Sequence, residues 1–204
     1  MSKKRLTEMT AKITEVQDAR DNVESFLEVI EETASDNRAT VRGLEDELQK
    51  AQEALTVSVD IGESRMLKAQ ADAIEQDISL TQQVAQAKIT KMYQELEDKV
   101  ERFFNAHKGA VKMYQELDAY YVANTSLSAL KEDAKLLSNF ATELNNSFRA
   151  VRQVLLDTGL VSQAEQNKSY RGQHLGARDL VTELWTYESK VRGYVQQLQQ
   201  AGKL

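Results

Sequence analysis

From Leu6 to Leu55 apolar or small residues recur at alternating steps of three and four: Leu6, Met9, Ile13, Val16, Val23, Leu27, Ile30, Ala34, Val41, Leu44, Leu48, Ala51 and Leu55. Arg20 and Asn37 occupy the two polar positions of the same series. A spacing kept for about seven heptads holds one stripe of a helix against a partner, and it predicts a coiled-coil seam. A helix of that length would be roughly 75 Å long at 1.5 Å per residue. Nothing in the chain argues for frequent breaks, since proline is absent and glycine is limited to eight of 204 residues.

The seam stops at Thr56-Val57-Ser58-Val59-Asp60-Ile61-Gly62, where branched residues alternate with short polar ones. Asp60 with Glu63 three residues later has the form of an N-cap, so a second helix is expected to start at once. A connection this short makes antiparallel neighbours, and a hairpin with its tip at 56–62 follows. The second helix runs through Leu67, Ala71, Ile74, Ile78, Ala85, Ile89, Leu96, Val100, Phe103, His107, Tyr114 and Tyr121. Asn124-Thr125-Ser126 offers caps for a third seam, Leu127 to Leu155, which ends near Gly159. Residues 160–176 read as a polar connection, and a last helix is expected to use Ala177, Leu180, Leu184, Tyr187, Val191, Val195 and Leu198.

Aromatic residues are concentrated after residue 100, where a wide bundle core accommodates large rings better than a two-helix seam does. The expected fold is therefore all-α: an elongated antiparallel coiled-coil hairpin merging into a three- to four-helix bundle. As one elongated domain over 1–204, it would project an arm at about 32–88 from a base built of 1–31, 89–123, 126–158 and 177–200.

Several chemistries lack their residues. With no cysteine there is no disulfide, thiolate ligand or cysteine nucleophile, and neither His107 nor His174 follows a glutamate at the di-iron spacing. No phosphate-cradling glycine loop or glycine-flanked serine elbow occurs. The expectation is a non-enzymatic chain with no catalytic residue, no cofactor and no metal. His107 falls on the apolar stripe of helix two and reads as a core histidine, and His174 as a solvated one.

The net charge of −6 opposes nucleic-acid or anionic-membrane binding, and no apolar run approaches the roughly 20 residues of a membrane span. The charged start Met1-Ser2-Lys3-Lys4-Arg5 precedes no signal-peptide apolar segment, so a cytoplasmic location is expected, or a virion or exported one without a cleaved signal. Residues 21–55 carry ten acids against three bases, and 159–204 four acids against six bases, a polarity suited to head-to-tail self-association.

Eight residues stand out as interaction candidates. Arg20 and Asn37, polar on an apolar seam, either set partner and register or, for Arg20, reach out to solvent at the bundle edge. Val57, Val59 and Ile61 either dock on a partner or close over the hairpin end. Tyr93 and Tyr114 belong to a motif repeated at a spacing of three heptads, Met92-Tyr93-Gln94-Glu95-Leu96 and Met113-Tyr114-Gln115-Glu116-Leu117. Arg171, with Lys168, Tyr170, His174 and Arg178, either forms an anion site or lies in a mobile linker.

These features imply a helical scaffold, spacer or assembly adaptor with unidentified protein partners. In general character the long acidic helices are similar to bacteriophage scaffolding and virion-assembly proteins. Tyr93 with Glu97 and Tyr114 with Asp118 give a Tyr-x-x-x-Asp/Glu pattern that resembles the type VII secretion signals of helical-hairpin substrates; this resemblance implies a secreted targeting domain. The Trp-x-Gly turn of those substrates is missing, because Trp185 is followed by Thr186 and Tyr187. A membrane-remodelling hairpin is a third alternative, opposed by the acidity of the proposed arm.

Overall fold

The computed structural model describes residues 3–124, 129–176, 179–184, 189, 192, 193, 196, 199 and 200. The fold is all-α, and among the described residues three long helices form a bundle: α1 (Lys3–Val57), α2 (Ile61–Asn124) and α3 (Leu130–Asp157). A single 3₁₀ turn at Gln163–Glu165 and a two-stranded hairpin, β1 (Ser169–Tyr170) and β2 (Gln173–His174), follow. By contacts the chain divides into one unit of 1–24 with 99–204 and another of 25–98.

In the larger unit the core is made by the predicted stripes together with Phe104, which lies beside the α2 stripe. Met9, Val16 and Val23 of α1 are buried, as are Val100, Phe103, Phe104, Ala110, Tyr114, Leu117 and Tyr121 of α2. On α3 the stripe from Leu130 through Ala134, Leu137, Ala141, Leu144, Phe148, Val151 and Leu155 is buried throughout. Ring contacts pair Phe104 with Phe148 at 6.3 Å and Tyr114 with Phe140 at 6.0 Å. Residue numbers rise on α2 as they fall on α3, so these two helices run antiparallel. Gly159 ends the third helix with φ of +70°, the left-handed conformation that its missing Cβ makes inexpensive.

The expected caps Thr125 and Ser126 lie outside the described residues, as does Leu127; α3 starts at Leu130 after Ala129, which makes no side-chain capping bond. The connection after α3 is more ordered than its composition foretells. Val161 and Leu175 are buried, Tyr170 lies edge-on to Phe104, and Arg152 donates to the backbone carbonyl of Gln166.

The last predicted helix begins later than its apolar spacing indicates. Residues 179–182 are non-helical, and the described residues from Glu183 onward are helical. Side chains account for that delay. Asn145 accepts from Leu180 N–H and donates to Leu180 C=O, each at 3.0 Å, a ladder that helical backbone could not offer. Asp118 then accepts from the Thr182 hydroxyl and from Glu183 N–H, which caps the turn that starts there. Ala177, Tyr187, Val191, Val195 and Leu198 lie outside the described residues.

The unit of residues 25–98 contains the expected chain reversal. Only Ser58, Val59 and Asp60 interrupt the helices. Asp60 Oδ1 accepts from Glu63 N–H at 2.9 Å, and the Ser58 hydroxyl donates to Glu63 Oε2 at 3.0 Å. Behind this turn Ala51, Ala71 and Ile74 form a buried cluster flanked by half-buried Leu44, Leu48 and Ile78. Farther along, Ala34 to Glu45 of α1 lie across from Gln82 to Ile89 of α2, so the two stretches run antiparallel.

Candidate interaction surfaces

At the chain reversal Val57, Val59 and Ile61 are 77%, 100% and 73% exposed. With that exposure they pack on little of the hairpin end, and Ser58, Asp60, Glu63 and Ser64 of the same turn bond to one another. Met66, early in α2, is exposed as well and was not singled out from sequence. The patch offers apolar area without a hydrogen-bonding pattern, so it can supply adhesion but little orientation.

The second surface is a groove of about 470 Å³ along one side of the paired stretches. Its floor is Ala34, Asn37, Val41, Ala85 and Ile89, and its rim carries Arg38, Arg42, Glu45, Gln82 and Gln86. The groove exists because the facing positions are small: alanines at 34 and 85 leave the seam unfilled where leucines would meet. Asn37 Nδ2 is buried there without a hydrogen-bond acceptor. Such an orphan donor costs roughly 1–3 kcal/mol relative to one that is paired.

Arg20 behaves as an edge residue. Its guanidinium donates to Asp21 Oδ1 at 2.9 Å from Nε and 2.6 Å from Nη2, and lies 3.5 Å from Glu24. Hydrogen bonding to Asp21 outweighs partial burial and holds its pKa above the ordinary arginine value.

The two copies of the Met-Tyr-Gln-Glu-Leu motif pack alike at their leucines, since Leu96 and Leu117 are both buried. Their tyrosines differ. Tyr93 is half-buried on α2, whereas Tyr114 is buried against Phe140, and burial raises its phenol above the usual tyrosine range. Of the two rings Tyr93 is the more exposed.

Arg171 stands at the first of two left-handed positions, φ +43° followed by Gly172 at +77°, between β1 and β2. Positive φ at both central residues is the signature of a tight hairpin turn, and an arginine is unusual there. Its Nη1 donates to Glu101 Oε2 at 2.6 Å, and Lys168 lies 3.7 Å from Glu165. Each of these two cations has an acidic neighbour within the chain, Arg171 the closer. His174 accepts from Gly176 N–H through Nδ1, and Arg178 lies outside the described residues.

His107 is buried, with Nε2 3.2 Å from the carbonyl of Leu144, and desolvation lowers its pKa to about 4. Among the described residues no group of three or more His, Cys, Asp or Glu is arranged to hold a metal ion. No helix among them is long and apolar enough to cross a membrane.

Sequence reasoning singled out Asn37 but not the groove around it. The signal was present in Ala34 and Ala85, small residues on both sides of one level of the seam. Leu80 and Val84, exposed one turn apart on α2, were also passed over because they lie off the seam. Comparison of the chain with protein-family models, curated protein sequences and solved structures gives no match.

Proposed function

We propose that the chain is a non-enzymatic structural and interaction protein, a helical scaffold, spacer or assembly adaptor that self-associates and presents helical surfaces to protein partners. In this reading the stretches 32–57 and 61–88 form an elongated antiparallel coiled-coil hairpin, and its function resides in what that hairpin displays.

The observation that carries the reading is the apolar reversal. Val57, Val59, Ile61 and Met66 are exposed around a turn whose polar groups satisfy one another. A turn that only had to reverse the chain would be served by polar residues, and branched apolar side chains in water are a net liability unless something covers them.

The test is an affinity purification from cells of the source organism with two baits, the unmodified chain and a Val57→Ser, Val59→Ser, Ile61→Ser variant. A protein recovered in near-stoichiometric amount with the first and lost with the second supports the reading. The same recovery with both baits contradicts the role given to the turn.

A further inference from the structure

The groove at Asn37 combines three properties that together describe its occupant. Its floor is apolar apart from Asn37, the buried Asn37 amide donor lacks an acceptor, and its rim on α1 carries charges of both signs. Arg38 and Glu45 are seven residues apart, two helical turns, so they share one stripe of α1. Arg42 lies between them, one turn before Glu45. Among the described residues none of the three has an ion-pair or hydrogen-bond partner, and all three are exposed.

A stripe that reads plus, then minus, one heptad apart is complementary to itself when a second copy is laid against it in the opposite direction. A two-fold axis level with residues 41 and 42 brings Arg38 of each copy to Glu45 of the other. Each Glu45 carboxylate then lies within about one turn of Arg42 as well. Asn37, adjacent to Arg38, comes level with the same carboxylate, which can only accept and so matches the orphan Nδ2. Two-fold contacts require this reciprocity, in which residue i meets j and j meets i.

The same plus-then-minus spacing recurs on α2 at Arg65 and Asp72, Lys68 and Glu75, Lys88 and Glu95, and Lys91 and Asp98. What singles out the stretch at Arg38 and Glu45 is the groove beside it and the unpaired Asn37 donor on that groove's floor.

We propose that this groove, from Ala34 to Glu45 and Gln82 to Ile89, is the contact surface of a symmetric homodimer, its occupant being the same groove of a second copy. The proposal rests on the self-association reading above and specifies the surface and register.

The test uses the full chain and its lack of cysteine. The unmodified chain sediments as two copies, and Arg38→Glu or Glu45→Arg alone weakens dimerisation at least tenfold, with helical content unchanged by circular dichroism. The double variant Arg38→Glu, Glu45→Arg restores it, since the swapped charges face each other again. Val41→Cys, beside the axis, is trapped rapidly as a disulfide dimer under mild oxidation, and Val59→Cys at the turn is not. A dimer indifferent to both single charge changes, or trapped through Val59→Cys instead, overturns the groove while self-association stands. A single-copy mass for the unmodified chain at every concentration overturns both.

Discussion

His107 of α2 donates a hydrogen bond from Nε2 to the backbone carbonyl of Leu144 on α3, 3.2 Å away. The carbonyl can only accept, so the proton sits on Nε2 and Nδ1 carries the lone pair. That Nδ1 is buried without a partner, and the ring lies 5.6 Å from Phe103 and 5.1 Å from Phe148. The site thus favours the neutral imidazole and resists its protonation.

This arrangement sets a pH dependence. The pKa falls from 6.5 to about 4 on folding, chiefly by desolvation. Below 6.5 the unfolded chain takes up a proton that the folded chain refuses, so stability declines as pH falls from 6.5 and levels off below about 4. The loss from this one group approaches about 3 kcal/mol. Urea unfolding at pH 7 and pH 4 should show it, and His107→Gln should remove that part of the difference.

The core and the chain reversal should respond oppositely to truncation. Phe103 and Phe140 are fully buried, and replacing either with alanine should cost about 3–5 kcal/mol. Val59→Ser removes nothing that is packed and should change stability by less than about 0.5 kcal/mol. Chemical denaturation of the three variants measures both effects, and a destabilising Val59→Ser would show that the turn is covered.

Gly172 holds φ of +77° with open space around its Cα, so a methyl group there meets no neighbour and only the backbone objects. Gly172→Ala should destabilise the β1–β2 turn by about 1–2 kcal/mol. Faster amide exchange at Tyr170 and Gln173 than in the unmodified chain is the expected readout.

Asn37 makes a prediction that depends on concentration. In the isolated chain Asn37→Leu relieves an unpaired donor and fills space beside Ala34 and Ala85, so it should stabilise by about 1 kcal/mol. In the proposed dimer the amide would gain its acceptor, and the advantage should shrink or reverse. Melting curves of both chains at dilute and concentrated protein give the comparison.

How far these features could be read from the residues varies along the chain. Met9, Val16, Val23 and Ile30 are buried where the heptad repeat puts them, although Leu6 at the start of the same repeat is exposed, and the reversal at Ser58–Asp60 follows from the Asp60–Glu63 cap. Gly159 likewise marks its helix end. The β1–β2 hairpin was not legible, since two-residue strands are too short for an alternating pattern and Arg171 stands where asparagine or glycine usually signals the turn. The late start of the last helix depends on Asn145 and Asp118, and their partners are 35 and 64 residues away for Leu180 and Thr182. A repeat identifies which face a seam presents; it does not say how completely the seam is covered. The groove at Asn37 was missed for that reason.

The groove, its self-complementary rim and the exposed reversal all depend on α1 and α2 pairing in one antiparallel register within residues 25–98. Spin labels at Glu32→Cys and Thr90→Cys, both exposed positions, test that pairing directly when labelled chain is diluted with unlabelled chain so that only distances within a molecule are read. Helices packed about 10 Å apart should place the labels within roughly 3 nm of each other. A helix continuing through Ser58 would separate them by roughly 9 nm at 1.5 Å per residue, and a distance of that order would contradict the account.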